Sequence, residues 1–414
     1  MLVPHRRASG TKLFSHITVG GKEGLHMKFV TRIAALAAAC ALTTGAVYAQ
    51  GMQTQGISDS EIKIGAYGPF GGPVYLYGKL VMNGVDAVFD KVNASGGVHG
   101  RKLVLVREDD NCKPEGSIAA VKKLAYDAKV FAITGGACSN ATLASVPELV
   151  KAGIPMLVNS AVADGITDPP KKNIFTSQLT SGVESRAQVD YALAKGAKKL
   201  GLVRMTDAWA MARFNPLMAY MKKKGLSFVA DLELGVDAND ATPQALKMKA
   251  AGADAVIMIL YPKPAAVLIR DSLKIGNNPA WVGQTAINDF AAFEKQVGVP
   301  NALAKFSTIT GVAYQPTDPE MKDWADRLKK LFPNDELSTF NMNGIGSGQV
   351  LVEALKRAGK NLTRDKFLTA LGGIKNFKVD AYAGLITCDA PTSHQCNQTP
   401  GWLALKNGKV VKEK

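Results

Sequence analysis

The chain has 414 residues, of which 47% are hydrophobic and 21% charged, and a formal net charge of +15. This length is too great for one ordinary hydrophobic core and favours two. The positive charge is scattered in short runs such as Lys198-Lys199 and Lys222–Lys224, without aromatic residues between them, which argues against nucleic acid as a partner.

Residues 27–49 have the organisation of an export signal. A basic start at Met27 precedes a short, alanine-rich apolar run, and small residues at Val47 and Ala49 mark a cleavage point. The apolar run is too short to span a membrane. We predict that residues 1–26 are not translated, that 27–49 are removed, and that the remaining protein functions outside the cytoplasm.

Apolar strand candidates alternate with amphipathic helices along the rest of the chain, which predicts parallel sheets covered by helices on both faces. The predicted strands lie at 62–67, 102–107, 130–134, 155–158, 199–205, 227–233, 254–260, 280–283 and 307–314. The predicted helices lie at 75–93, 115–127, 143–152, 184–196, 212–224, 243–251, 263–274, 319–331 and 339–358. The pattern restarts after the Asp168-Pro169-Pro170 turn, so we predict an α/β protein with two similar halves and a final two-strand return around Gly384 and Trp402.

Four cysteines remain once the signal is removed: Cys112, Cys138, Cys388 and Cys396. An even number in an oxidising compartment predicts two disulfides, for which three pairings are possible. Cys112 and Cys138 both follow predicted strands and can meet at one sheet edge, whereas Cys388 and Cys396 can close a short loop. A metal site of Cys388, His394 and Cys396 lacks a fourth ligand, so we expect no metal.

The junction after the predicted strand 130–134 has the features of a carboxylate site. Gly135-Gly136 allows the backbone to approach a ligand, and the helix that follows presents unpaired N–H groups and its positive dipole end. Ser139 and Thr142 add hydroxyl donors. Helix capping by Ser139 or Asn140 is the commoner role of such residues, and both roles stay open at this point.

Four segments of the chain carry a resemblance to a known family: IKIGAYGPFGGPVYLYG (62–78), NGVDAVFDKVNASGGVHGRKL (83–103), EDDNCKPEG (108–116) and GGACSNAT (135–142). Together they resemble the substrate-binding proteins of branched-chain amino acid ABC transporters, the leucine/isoleucine/valine-binding type with the type I periplasmic binding fold. The resemblance extends from about Ile62 to Val411. It implies two doubly wound parallel-sheet lobes joined by three crossover segments, a ligand in the cleft between them, and a Cys112–Cys138 disulfide.

The same resemblance implies how the chain is divided. The expected lobes are 60–177 with 312–383, and 178–311 with 384–414. The expected crossovers are Phe175–Leu179, Thr308–Tyr314 and Tyr382–Thr387.

The family's binding roles fall on particular residues of this chain. Ser139 matches the serine that bonds the ligand carboxylate, and Ser160-Ala161 match the next strand-end loop, which completes that site. Tyr77 matches an aromatic residue that lines the ligand's side-chain pocket. In the second lobe Trp209, one position early, and Tyr261 match the aromatic residues that close over the ligand.

Two positions depart from the family pattern. Val162 stands where the family has a threonine beside the carboxylate, and Thr285 stands where it has the glutamate that pairs with the ligand ammonium. A buried ammonium without a carboxylate partner is costly, so we expect a carboxylate with an apolar or aromatic body in preference to leucine, isoleucine or valine. Asp207 or Asp289 would replace the missing charge if either pointed into the cleft.

These observations favour a periplasmic solute-binding protein that captures a small carboxylate without a cofactor and delivers it, as a monomer, to the membrane permease of an ABC importer. One alternative is an enzyme of the same architecture. His99 and His394 are the only histidines after the signal, and neither has an evident nucleophile partner. The other alternative is a sensory protein, which would need a membrane segment after the lobes.

Overall fold

The computed structural model describes residues 53–72, 74–288, 290–390, 392–406 and 408–413. The predicted signal, the stretch upstream of it and Asp289 lie outside the described residues. Within the described ranges, no helix is both long enough and apolar enough to cross a membrane.

Five parallel strands form the first sheet. They are β1 (Glu61–Gly68), β2 (Lys102–Asp109), β3 (Ala132–Gly135), β4 (Met156–Val158) and β5 (Ile174–Thr176), in the spatial order β2-β1-β3-β4-β5. The register places Tyr67 beside Gly135, so β1 and β3 end next to each other. The loops that follow these two strands therefore begin at the same edge of the sheet.

The second sheet repeats this topology and adds a hairpin. Its strands are β6 (Leu200–Arg204), β7 (Ala230–Glu233), β8 (Ala255–Ile259), β9 (Ala280–Gly283), β10 (Phe306–Thr310), β11 (Gly401–Lys406) and β12 (Lys409–Glu413), in the order β12-β11-β10-β9-β8-β6-β7. Only β11 and β12 run antiparallel to their neighbours among these strands. The predicted fold class is confirmed, with two doubly wound parallel sheets of the same strand order.

Helices cover both sheets. They are α1 (Val81–Ala94), α2 (Pro114–Lys122), α3 (Ser139–Ala152), α4 (Ser181–Ala194), α5 (Ala208–Lys224), α6 (Thr242–Ala250), α7 (Pro262–Lys274), α8 (Phe290–Val297), α9 (Lys322–Leu331), α10 (Thr339–Ala358) and α11 (Arg364–Gly372). The sequence did not predict α8 and α11. Helix α3 begins at Ser139, earlier than predicted, which puts Ser139 inside its first turn.

Each sheet packs into its own hydrophobic core. In the first core, α10 lies so close to α1 that a Cβ on Gly344 would stand 1.8 Å from the carbonyl oxygen of Val81. In the second core, Leu202 and Ile257 are fully buried, and the ring of Trp281 is almost so. The two cores fix the orientation of each sheet and so the positions of the loops at its edge.

The chain passes between the two sheets at residues 177–180, at Gly311 and at 397–400. The predicted third crossover, Tyr382–Thr387, is wrong. Ile386, Cys388 and Cys396 are buried in the first core, and the N–H of Cys396 donates to the carbonyl of Thr176 at 2.8 Å. The segment 384–396, which we expected in lobe 2, therefore lies with the first sheet.

Both disulfides of the described chain lie with the first sheet. Cys112 is paired with Cys138, with Cα atoms 5.5 Å apart, and joins the loops that follow β2 and β3. Cys388 is paired with Cys396, with Cα atoms 4.1 Å apart, within the segment that returns to the first core.

Candidate ligand-binding site

The candidate site residues follow the carboxyl ends of strands in both sheets. In each sheet the strand order reverses at one point, between β1 and β3 in the first sheet and between β6 and β8 in the second. Ligands of open α/β sheets bind outside such points. We call the first edge the residues after β1, β3 and β4 (Tyr77, Ser139 and 160–163). We call the second edge the residues around the ends of β6, β8 and β9 (Glu184, Trp209, Arg213, Tyr261 and Thr285).

Two glycines shape the first edge where β3 ends. Gly135 and Gly136 have φ values of +136° and +73°, which favour glycine. A Cβ on Gly135 would lie 2.4 Å from the carbonyl oxygen of Tyr67. The glycines therefore let the chain turn closely past β1 before α3 begins.

Ser139 connects two loops of the first edge. Its Oγ accepts hydrogen bonds from the backbone N–H groups of Val162 at 3.2 Å and Ala163 at 3.3 Å. The N-cap of α3 is Cys138, which makes no side-chain cap hydrogen bond, so the capping role considered for Ser139 is not seen. The Ser139 hydroxyl still has its own hydrogen to donate.

The backbone around Ala161 differs from the expectation. The N–H of Ala161 donates to the carbonyl of Gly136 at 2.7 Å, so it is not a donor for a ligand in this arrangement. The donors nearest to Ser139 are those of Val162 and Ala163, while Ser160 is half-buried beside them. Tight packing between the two strand-end loops, which the sequence does not show, gives the N–H groups of Ala161, Val162 and Ala163 partners within the protein.

The loop after β4 also contacts the helix that leads to the second edge. The carbonyl of Val162 accepts hydrogen bonds from the N–H of Ser181 at 2.8 Å and from its hydroxyl at 3.1 Å. Ser181 is the first residue of α4, and Glu184 lies in the same first turn. The first edge is thus joined to the charged part of the second edge through one helix turn.

A buried ion pair lies beneath the second edge. Arg213 Nε donates to Glu184 Oε2 at 3.0 Å, and the two side chains are 3% and 1% exposed. Thr285 Oγ1 donates to the other carboxylate oxygen, Glu184 Oε1. Both oxygens of Glu184 are therefore engaged, and the charge of the carboxylate is compensated by the guanidinium.

Two aromatic rings cover this ion pair. The guanidinium carbon of Arg213 lies 4.1 Å from the ring centroid of Trp209, and Arg213 Nη1 donates to the carbonyl of Trp209 at 3.3 Å. The rings of Trp209 and Tyr261 lie 4.4 Å apart between centroids. The arginine fixes the tryptophan by a cation–π contact, and the tryptophan in turn supports the tyrosine.

Burial and the nearby carboxylate of Asp207 raise the pKa of Tyr261 to about 12. On the first edge, the exposed aromatic residue is Tyr77. Tyr77 is 47% exposed and meets Phe340 edge to face, with ring centroids 5.2 Å apart. A large ring left this exposed is available to contact a ligand.

Asp207, one of the two candidates for the missing carboxylate, is not buried with this ion pair. Its Oδ1 accepts the N–H of Ala210 at 2.9 Å as the N-cap of α5, and its side chain lies on the exposed surface. An exposed carboxylate gains little from an ion pair because water screens it. The described residues of the second edge thus offer an ammonium group no uncompensated buried carboxylate.

The sequence analysis missed Glu184 and Arg213. Glu184 lies on α4 and Arg213 on α5, and Glu184 meets Thr285 across 101 positions of the chain. A single arginine in the otherwise uncharged run AWAMARFNPLMAY, from Ala208 to Tyr220, was the available signal. A charge in such a run is often buried and therefore paired.

Within the described residues, no group of three His, Cys, Asp or Glu side chains could hold a metal ion. His394 is buried, its Nδ1 lies 3.0 Å from the carbonyl oxygen of Ile174, and its ring stacks on Phe175 at 3.9 Å between centroids. These contacts give His394 a packing role in the first core.

Comparison with known proteins identifies a family with this fold. The sequence profile of the family described as "Periplasmic binding protein" matches residues 61–405. "Leu/Ile/Val-binding protein homolog 7" of Brucella abortus is 26% identical over 314 residues, which is 72% of this chain and 78% of that protein.

Two solved structures share the fold. The branched-chain amino acid transporter substrate binding protein LivJ from Streptococcus pneumoniae, in complex with isoleucine, has a TM-score of 0.65 and 24% identity, and the match covers 86% of this chain and all of that one. A solute binding protein from R. palustris, in complex with 4-hydroxybenzoate, has a TM-score of 0.64 and 20% identity, covering 86% of this chain and 96% of that one. At these identities the likeness concerns the fold alone.

Proposed function

Because this chain belongs to the periplasmic binding protein family, we propose that it is the extracytoplasmic solute-binding protein of an ABC importer. It captures a small carboxylate-bearing ligand between the first and second edges and presents it to a membrane permease. It works in the periplasm, which it reaches through the predicted signal at 27–49. The homologues named as Leu/Ile/Val-binding proteins support this assignment.

The observation that carries the proposal is the convergence of the two edges. The Ser139 hydroxyl contacts the loop after β4, and this loop contacts α4 through Ser181. In the same first turn of α4, Glu184 reaches Arg213 and Thr285. The first turn of α4 thus links residues around the two switch points, where the fold favours a ligand.

The two edges suit different parts of one ligand. The first edge offers the Ser139 hydroxyl and the N-terminus of α3, both of which favour an anion. The second edge offers the paired rings of Trp209 and Tyr261. A carboxylate with an apolar or aromatic body matches both, and the exposed ring of Tyr77 closes over that body when the sheets approach.

The proposal is tested by binding and by recovery of the ligand. Native mass spectrometry of the purified chain identifies any molecule that copurifies, and a thermal-shift screen then compares leucine, 4-methylpentanoate, 3-phenylpropanoate and 4-hydroxybenzoate. At least one carboxylate is expected to raise Tm and to be recovered unchanged. The uncharged amide of the same acid is the control and is expected to give no shift.

Two results would contradict the proposed function. If no carboxylate binds, or if the amide binds as well as its acid, the first edge is not a carboxylate site. If the bound acid is converted during incubation, the enzyme alternative is correct.

A further inference from the structure

The charge balance of the second edge bears on the class of ligand. Glu184 is 1% exposed and its two oxygens accept from Thr285 and Arg213. Its partner Arg213 is 3% exposed. The pair is electrically balanced before any ligand arrives, and it leaves the partly exposed Thr285 as its outermost member.

A second charged group on the ligand would disturb this balance. An ammonium group placed at Thr285 would meet a carboxylate already neutralised by a guanidinium. The ammonium would lose its water without gaining an uncompensated partner, which is unfavourable in a closed cleft. An uncharged carbon at the same position loses no such hydration.

Arg213 is held in place by contacts that make it hard to displace. It donates to Glu184 and to the carbonyl of Trp209, and its guanidinium lies against the Trp209 ring. An incoming ammonium group could form an ion pair with Glu184 only by breaking these contacts, which would leave the guanidinium buried without its anion. The stacked ring of Trp209 would lose its support in the same step.

We propose that Arg213 determines specificity: by neutralising Glu184 it makes the site reject α-ammonium groups, so the ligand is an apolar or aromatic monocarboxylate and not an amino acid. This inference rests on the proposed function. It assigns to Arg213 a positioning and charge-compensating role, separate from the carboxylate contacts of the first edge.

The test uses pairs of ligands that differ only in the α-ammonium group. Titration calorimetry compares 4-methylpentanoate with leucine and 3-phenylpropanoate with phenylalanine. In the unchanged protein the acid of at least one pair is expected to bind at least tenfold more tightly than its amino acid. Arg213→Met, which keeps the apolar stem but frees the carboxylate of Glu184, is expected to reverse that preference. Glu184→Gln/Arg213→Met is expected to lose the amino-acid affinity gained by the single variant.

Arg204→Met is the matched control. Arg204 also lies on an aromatic ring, that of Phe214 at 4.0 Å, but its ion pairs are with Asp231 and Glu233 of β7 and not with Glu184. The Arg204→Met protein is expected to keep the wild-type ratio between the affinity for the acid and the affinity for the matching amino acid. Amino acids that bind the unchanged protein as tightly as the matching acids would overturn the inference and leave the proposed function standing. If neither acids nor amino acids bind, the proposed function itself fails. An Arg213→Met protein that folds and still prefers the acid would also overturn the inference, and the wild-type ratio can overturn it even if Arg213→Met does not fold.

Discussion

The two edges of the site are built from different chemistry. The first edge consists of backbone N–H groups, one hydroxyl and two glycines within a short stretch of chain, and its contacts are hydrogen bonds between neighbouring strand-end loops. The second edge consists of a buried ion pair, a hydroxyl and two rings in contact, which come from α4, α5 and the loops after β8 and β9. In the proposed function the first edge receives the carboxylate and the second edge the apolar body of the ligand.

Sequence information is local in one part of the site and dispersed in the other. The part of the first edge from Gly135 to Ser139 is one strand-turn-helix unit, whose residue types and spacing are those of an anion site. The second edge exists only after the second core has brought distant helices together. Its charge cannot be judged from Thr285 alone, because the carboxylate lies on another helix.

The largest effect is expected from breaking the ion pair of the second edge. Glu184→Gln leaves the guanidinium of Arg213 buried without its anion, which should lower the free energy of unfolding by about 3–5 kcal/mol. Glu353→Gln is the control, because Glu353 pairs with Arg357 on a solvent-accessible part of α10 and such pairs contribute about 0–1 kcal/mol. Urea denaturation measures both. Equal losses of unfolding free energy in Glu184→Gln and Glu353→Gln would show that the Glu184–Arg213 pair stabilises the protein no more than an exposed ion pair does.

A somewhat smaller effect is expected from the disulfide of the first edge. Cys112→Ser/Cys138→Ser opens a loop with a sequence separation of 26, which should lower stability by about 3 kcal/mol and loosen the loop that carries Ser139. Cys388→Ser/Cys396→Ser removes the other disulfide, away from the first edge. Both double variants should lose stability, but only the first should also lose carboxylate affinity. Similar losses of carboxylate affinity in the two double variants would show that the Cys112–Cys138 disulfide does not specifically support the ligand site.

Much of the fold could be predicted from the sequence. The alternation of apolar strands and amphipathic helices predicted the parallel sheets, and the restart after Asp168 predicted the two halves that the structure confirms. The third crossover could not be placed, since Ile386 reads as an ordinary apolar residue and only its burial in the first core shows that the chain returns there.

The candidate site was predictable to a lesser degree. The sequence pattern itself singles out Ser139 after a strand end, whereas Tyr77, Trp209 and Tyr261 are implied by the family resemblance. The partners of Thr285 were not predictable, because a buried pair between α4 and α5 depends on how these helices pack. The occupied N–H of Ala161 likewise depends on the exact approach of two loops.

The contribution of the first edge to binding is tested by Ser139→Ala. Loss of one hydrogen bond to a carboxylate should cost about 1.5–3 kcal/mol, or about ten- to a hundredfold in Kd. Thr363→Ala is the control, because Thr363 caps α11, which contacts none of the site residues named above, and its loss lowers stability. Titration calorimetry with the acid found in the screen separates the two effects. Unchanged affinity in Ser139→Ala would limit Ser139 to holding the N–H groups of Val162 and Ala163.

The smallest loss of ligand affinity is expected from removing the exposed ring of Tyr77 on the first edge. Tyr77→Ala removes a ring that would pack on an aromatic ligand opposite Trp209 and Tyr261, and such ring contacts contribute about 0.5–1.5 kcal/mol beyond burial. The expected loss is about threefold to tenfold in Kd for 3-phenylpropanoate and less for 4-methylpentanoate, whose body has no ring. Tyr126→Ala is a matched control, since Tyr126 is also 47% exposed but hydrogen-bonds Glu148 at 2.8 Å, away from both edges. Equal affinities for the Tyr77→Ala and Tyr126→Ala proteins would show that Tyr77 does not close over the ligand and that the second edge alone holds its apolar body.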